Sequence, residues 1–253
     1  MKYSIIIPTK DFAANTIYNE LVKLEKPENA EIVLFDNESI YLDDIEVNGE
    51  ILIFATRHRA ASGKKSLTCH FPGNWNKAEM GGKDEELGIA PALMLRQALL
   101  FLEQNKLESY EVVMEATHHG PYMNKPAMFI EIGSAEEQWN DEKAGNLIAK
   151  TIIHLLDNEP EKVSVGFGIG GLHYTPQFKK VILKKDIAIG HVCSKHNLSY
   201  LNEEMIKKAL DRSYEKVDFA VLEWKSLGKE KERIITILNG LNIKYLKTEK
   251  LLK

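Results

Sequence analysis

The sequence predicts an α/β fold, and three observations predict it. Short β-branched or apolar runs alternate along the chain with longer stretches of helical period, the pattern of a sheet covered by helices. Several of the short runs are bounded by Gly, Pro or Asn. With 253 residues, 44% of them hydrophobic, the chain can bury a sizeable core as one large α/β domain or two small ones.

The strands expected in order are Tyr3–Ile7, Glu31–Phe35, Ile51–Thr56, Tyr110–Ala116, Ala127–Ile132, Val163–Gly168, Ile187–Gly190 and Phe219–Glu223. The expected helices are Ala13–Leu24, Pro91–Gln104, Glu136–Leu156, Asn202–Arg212 and Lys229–Leu241. In the second helix Ala92, Leu95, Leu99 and Leu102 recur at steps of three and four and make one buried stripe. The segment from Arg57 to Ile89 is glycine-rich, basic at its start and without sustained period, so it is expected to be a long functional loop. No repeat or linker divides the chain, and residues 1–253 are taken as a single α/β domain.

Composition excludes several classes. Lys and Arg number 33 against 37 Asp and Glu, a net charge of −4, so the chain does not coat nucleic acid by bulk charge. Cys69 and Cys193 are the only cysteines, too few for a disulfide scaffold or a cysteine-only zinc site, which points to a reducing cytoplasm. The N-terminal apolar run IIIP is too short for a signal peptide, and no stretch approaches the ~20 apolar residues of a membrane span.

Two phosphate-binding patterns fail on inspection. Gly63-Lys64 resembles the end of a P-loop, but Lys65 replaces the hydroxyl residue and His58 the first glycine. Gly166, Gly168 and Gly171 spell GxGxxG, but Pro176 follows where a helix interior is required.

The eight histidines carry more information. His118, His119, His173 and His191 lie at or beyond the ends of expected strands, where α/β sheets assemble sites. On a regular strand His118 and His119 would face opposite ways, so either the chain turns there or only one serves the site. With Glu115 or Glu131 nearby, such histidines suit an N/O metal site with an open position. The competing reading is that each is a hydrogen-bonded histidine beneath a loop. The segment RHRAASGKKSLTCH gathers Arg57, His58, Arg59, Lys64 and Lys65 into a phosphate-attracting surface. A second basic region, from Lys225 through Lys229, Lys231 and Arg233, is interleaved with glutamates and reads as an exposed helix face.

The segments TRHRAASGKKSLTCHFPGNW, EATHHGP, GFGIGGLHYTPQF and GHVCSKH, in this order, resemble the signature segments of the archaeal-type D-aminoacyl-tRNA deacylases, also called D-tyrosyl-tRNA deacylases. The resemblance runs from about the first strand to VLEWKS. It implies hydrolysis of the ester between a D-amino acid and tRNA, zinc as cofactor with one ion or two, and a three-layer α/β/α fold with a mixed central sheet, akin to phosphorylase and peptidyl-tRNA hydrolase. Carried over by position, it marks Arg57, His58, Arg59, Ser62 and Gly63, then His118, His119, Gly120 and Pro121, then Gly170, Gly171, His173, Tyr174 and Pro176, then Gly190 and His191.

From these residues the expected site is as follows. His118, His119, His173 and His191 are the metal candidates, with the binding set left open by the motif. Glu115, His118, His119 and His173 are the catalytic candidates. Arg57, His58, Arg59, Lys64 and Lys65 would hold tRNA. The Gly170-Gly171 turn would offer backbone N–H groups to the oxyanion. An aminoacyl ester is activated enough for a zinc-bound water, with its pKa near ~7, to attack it without a covalent intermediate. The competing functions are a non-catalytic tRNA-binding module and a phosphorylase- or peptidyl-tRNA hydrolase-like enzyme. No membrane and no obligatory protein partner are expected.

Overall fold

Ten strands form two sheets in the computed structural model, which describes residues 1–253. The larger has six strands in the order β2 (Ala30–Phe35), β1 (Tyr3–Pro8), β3 (Ile51–Arg57), β6 (Ala127–Gly133), β4 (Ser66–His70), β5 (Glu111–Met114). It is mixed: β2, β1, β3 and β6 run parallel, while β4 is antiparallel to β6 and parallel to β5. The mixed central sheet expected for this fold class is present, flanked by helices α1 (Phe12–Leu21), α2 (Ala92–Asn105), α3 (Glu136–Trp139) and α4 (Glu142–Asp157). A second sheet accompanies it, all parallel, in the order β10 (Tyr245–Lys247), β9 (Phe219–Leu222), β7 (Ser164–Ile169), β8 (Ile187–Cys193). The remaining helices are α5 (Pro176–Lys184), α6 (Glu203–Asp211), α7 (Lys231–Gly240) and α8 (Thr248–Leu251).

Strand alternation explains how the central sheet is covered. Ile5, Ile7, Ile53, Ala55, Leu67, Cys69, Ile130 and Ile132 project to one face, into a core of 41 buried residues shared with α1, α2 and α4. The same core takes in Phe178, Val181 and Ile182 of α5, Ile189 and Val192 of β8 and Val221 of β9, and so joins the two sheets. The other face of the central sheet, with Ile6, Leu52, Phe54, Ala127 and Phe129, is covered by a small cluster with Leu42 and Met123. The far side of the second sheet packs Phe167, Ile169, Ala220 and Leu222 against α6 and α7.

Several sequence expectations are corrected. The segment 57–89 is no continuous loop: Ser66–His70 is a buried strand between β6 and β5. Polar Thr68 and His70 break its apolar pattern because they face the site. Pro176 stands at the first position of α5, where its missing N–H costs nothing, rather than abolishing the helix. GxGxxG still fails as a dinucleotide motif, since Gly166 and Gly168 lie within β7 and not in a turn. The long helix expected over Glu136–Leu156 is two, because Asp141 caps α4 by accepting from the Lys143 and Ala144 N–H groups. Finally, β8 runs on past Gly190 to Cys193, which makes His191 a buried strand residue.

Candidate active site

On the sheet face away from α1 and α4, apolar strand positions give way to polar ones. Along β3 the order is Phe54, Thr56 and, just beyond, His58; along β6 it is Phe129 and Glu131; along β4, Thr68 and His70. The register places Thr56 and Thr68 on either side of Glu131, and both hydroxyls donate to its carboxylate, at 2.7 and 3.1 Å. His70 stacks on Phe129 at 4.8 Å, which in turn stacks on Phe54 at 4.7 Å, so an aromatic column supports the imidazole. Glu115 follows β5, fixed by its N–H to the Cys69 carbonyl at 3.0 Å.

The next residues turn sharply. His119 has φ of 42°, and this left-handed step lets both His118 and His119 face the cluster, with ring centroids 4.3 Å apart. Gly120 is required beside them, since a Cβ there would meet Gly82 N at 2.3 Å and Ile40 O at 2.4 Å. The second sheet supplies the last group. After β7, Gly170 and Gly171 have φ of 98° and 82° and reverse the chain, so that the His173 carbonyl accepts from the Ala116 N–H at 2.8 Å and the His173 ring reaches Glu115 at 2.9 Å.

These side chains form three overlapping groups whose ligand atoms lie within 4.8 Å of one another: His70, His118 and His119; Glu115, His118 and His173; His58, Glu115 and Glu131. Three imidazoles are fixed in one tautomer by the backbone. The Nδ1–H of His70 donates to the Phe71 carbonyl at 3.2 Å, that of His118 to Ala116 at 2.8 Å, and that of His119 to Gly120 at 2.5 Å. Each therefore turns its Nε2 to the cluster. His58 holds the Tyr174 hydroxyl at 2.6 Å through Nε2, and its Nδ1 lies 3.2 Å from Glu115 Oε1. Neither His70 Nε2 nor Glu115 Oε1, both buried, makes a hydrogen bond of good geometry: the nearest groups are Glu131 Oε2 at 3.6 Å and His58 Nδ1 at 3.2 Å, an arrangement that costs free energy unless something else fills it.

Electrostatics keep the donors ready. Burial opposes charge on Glu115, but the His173 hydrogen bond and the charges of His70, His58 and His173 hold its carboxyl down at about 2. Glu131 is also lowered, with burial overcome by His70. Burial and then the neighbouring imidazoles push His118 well below the usual histidine value, and burial and His70 push His119 down to about 4. For His70, burial works against the proton but Glu131 and Glu115 prevail and raise it. Tyr174 is pushed up to about 12 by burial and by Glu115, so it stays a phenol. At neutral pH the cluster thus combines ionised carboxylates with the neutral imidazoles of His118 and His119, a set of N and O donors suited to a borderline cation such as Zn²⁺. It forms the floor of a cleft of about 550 Å³ whose walls include Lys10, Asp11, Glu38, Tyr41, Arg57 and Met80.

Comparison with known proteins places the chain in a family. A family model described as D-aminoacyl-tRNA deacylase matches residues 45–246. The chain is 39% identical over 243 residues to a D-aminoacyl-tRNA deacylase of Pyrococcus furiosus, covering 93% of this chain and 88% of that one. It is 37% identical over 240 residues to the protein of that name in Thermococcus onnurineus, with the same coverage. The chain belongs to the D-aminoacyl-tRNA deacylase family. A crystal structure of a conserved protein of unknown function superposes on this family member with a TM-score of 0.92 at 27% identity, covering 99% of this chain and 96% of that one.

Of the four histidines expected to meet, the fold brings together His118, His119 and His173, with Glu115 between His118 and His173. His118 Nε2 lies 3.9 Å from Glu115, while the left-handed turn sets His119 against His118 and His70. His191 is a correction. Its Nε2 donates to the Gly88 carbonyl at 2.9 Å and its Nδ1 faces the Thr117 hydroxyl at 3.0 Å, so neither nitrogen turns to the cluster. The oxyanion expectation for Gly170 and Gly171 also fails, because their N–H groups are engaged by the Cys193 carbonyl at 2.8 Å and by Ser226 Oγ at 2.6 Å. A Cβ on Gly171 would meet Glu223 Oε2 at 2.7 Å, so the turn packs tightly against the protein itself.

Arg57 and Arg59 line the cleft, with Arg57 paired to Glu38 at 3.1 Å; Lys64 and Lys65 lie outside it, Lys65 beside Glu137 at 3.6 Å. His58, expected among the tRNA contacts, sits inside the cluster instead. Sequence reasoning missed His70, left Glu131 as an alternative and gave Tyr174 no role. The signal for the first two was present, as polar residues at alternate positions of otherwise apolar strands, in SLTCH and MFIEI. No helix in the structure is long and apolar enough to cross a membrane.

Proposed function

We propose that this chain hydrolyses the ester joining a D-amino acid to the 3′ end of tRNA, with zinc held by the clustered histidines and carboxylates. The observation that carries the reading is the pair of unpartnered buried atoms, His70 Nε2 and Glu115 Oε1, among fixed imidazoles at the floor of a cleft in a member of this family. Two of the three groups share no residue, His70 with His118 and His119, and His58 with Glu115 and Glu131, so the donors suffice for two ions, with His173 adjoining Glu115. The chemistry a bound zinc ion supplies is Lewis acidity toward the ester carbonyl and toward water.

The chain's own residues do the rest. Glu115, ionised down to about 2, is too weak a base to take a proton at neutral pH, so it holds charge and orients His173. The Tyr174 hydroxyl hydrogen-bonds His58 Nε2 and fixes that ring. Thr56 and Thr68 hold Glu131. Arg57, Arg59 and Lys10, on the cleft wall, take phosphates of the acceptor end, with Lys64 and Lys65 contributing from outside the cleft. Ile40, Tyr41 and Met80 complete a wall that limits water around the ester. The shared core of both sheets supports treating the chain as one domain, and a tRNA substrate implies work in the cytoplasm.

Hydrolysis of D- and L-aminoacyl-tRNA side by side, with metal analysis and with and without chelator, tests the reading. We expect turnover of the D-ester, zinc bound to the protein, and loss of activity on chelation that added zinc restores. Full activity in metal-free protein would remove zinc from the reading, and tRNA binding without turnover would leave a non-catalytic module.

A further inference from the structure

The charge of this chain is unevenly placed. Residues 223–253 hold eight Lys and Arg against four Glu, a net of +4 in a chain whose total is −4. The sequence alone reads part of this segment as a solvated helix face. The fold gathers much of it instead at the carboxyl edge of the second sheet. There the tails of the four parallel strands lie side by side: the Glu223 N–H donates to Ile169 at 3.0 Å, the Lys195 N–H to Gly171 at 2.8 Å, and Lys247 pairs in register with Leu222.

Lys195, Lys225, Lys229, Lys247 and Lys250 form no ion pair, and the basic residue that does, Arg233, is tied to Glu230 and to the carbonyls of Leu198 and Leu201. The Trp224 ring draws Lys247 to 3.2 Å and Lys231 to 4.9 Å from its centroid, which concentrates positive charge. The acids in the segment are Glu223, half-buried under the Gly171 turn, Glu230, Glu232 and Glu249. By contrast Arg57 and Lys65, near the cleft, already face Glu38 and Glu137.

We propose that this edge binds the phosphate backbone of a tRNA acceptor arm and leads its 3′ end into the cleft. The inference rests on the function proposed above for the cleft. It commits to RNA because the lysine edge is continuous with the site: Lys195 is bonded to the turn that two residues later presents His173. A polyanion lying along unpaired lysines on an otherwise acidic protein is held and oriented, while the chemistry is left to the cleft.

The test is a Lys225→Ala/Lys229→Ala/Lys247→Ala variant beside a matching triple Lys→Arg variant, both checked by thermal melt. Binding of uncharged tRNA is titrated against salt, and hydrolysis is measured on D-aminoacyl-tRNA and on a D-amino-acid methyl ester that carries no RNA. The alanine variant should weaken tRNA binding and raise KM roughly tenfold, flatten the log–log salt slope by about two, and leave the methyl ester rate unchanged, with arginine restoring affinity. Unchanged tRNA affinity and slope would overturn the proposal, as would loss of binding to phosphatidylserine vesicles with tRNA binding intact. Wild-type protein that binds tRNA through these lysines but leaves the D-ester whole would overturn the proposed function and keep this surface. Wild-type turnover with an unaffected alanine variant would do the reverse.

Discussion

Acid should destabilise this protein through His191, and replacing that residue should remove a defined part of the effect. Burial, partly offset by the carbonyls of Gly88 and Arg212, lowers the imidazole from the usual 6.5 to about 4. Between those values the unfolded chain binds a proton that the folded chain refuses, so stability is fully present above pH 6.5 and is lost as the pH falls toward 4. Integrating that one proton from pH 7 to pH 5 gives a loss of about 2 kcal/mol. The geometry shows why the proton is refused: a protonated Nδ1 would lose the Thr117 hydroxyl as donor, and that oxygen already accepts from the Val192 N–H at 3.1 Å. The assay is urea denaturation of wild type and His191→Gln at both pH values, with chelator in every sample. The wild type should lose about 2 kcal/mol more than the variant on acidification, because glutamine can still donate to Gly88 but does not titrate. Equal losses would refute the buried neutral histidine, and a drop in bound zinc in His191→Gln would return the residue to the metal site.

Gly171→Ala should cost about 1–2 kcal/mol, because the residue has φ of 82° and a Cβ would meet Glu223. Its ratio of D- to L-ester hydrolysis should not move; a changed ratio in a folded variant would give the turn a part in chiral selection. Lys64→Ala/Lys65→Ala should raise KM for D-aminoacyl-tRNA modestly and leave kcat unchanged, since both lie outside the cleft. A loss confined to kcat would place them in the reaction itself.

Much of this molecule is legible in the chain. Apolar runs and helical periods are local properties, and they mark eight of the ten strands and the principal helices, with boundary shifts of a few residues. Histidines beside glycine turns, as in THHGP and GGLHY, mark the places where side chains leave regular backbone, and those of His118, His119 and His173 do meet. SLTCH alternates Leu67 and Cys69 toward the core with Thr68 and His70 toward the cluster, a short strand pattern that the basic and glycine-rich stretches on either side mask. Which strands are neighbours is hidden as well. Nothing local says that β4 inserts between β6 and β5, and only that pairing sets Thr68 and Thr56 on either side of Glu131. His191 shows the converse. Its glycine neighbour makes it resemble a strand-end ligand, yet β8 extends three residues further because Val192 and Cys193 find partners in β7. Composition and period are written residue by residue, whereas strand neighbours and the sense of a turn arise from contacts between residues far apart, and those contacts fix which imidazoles share a cleft.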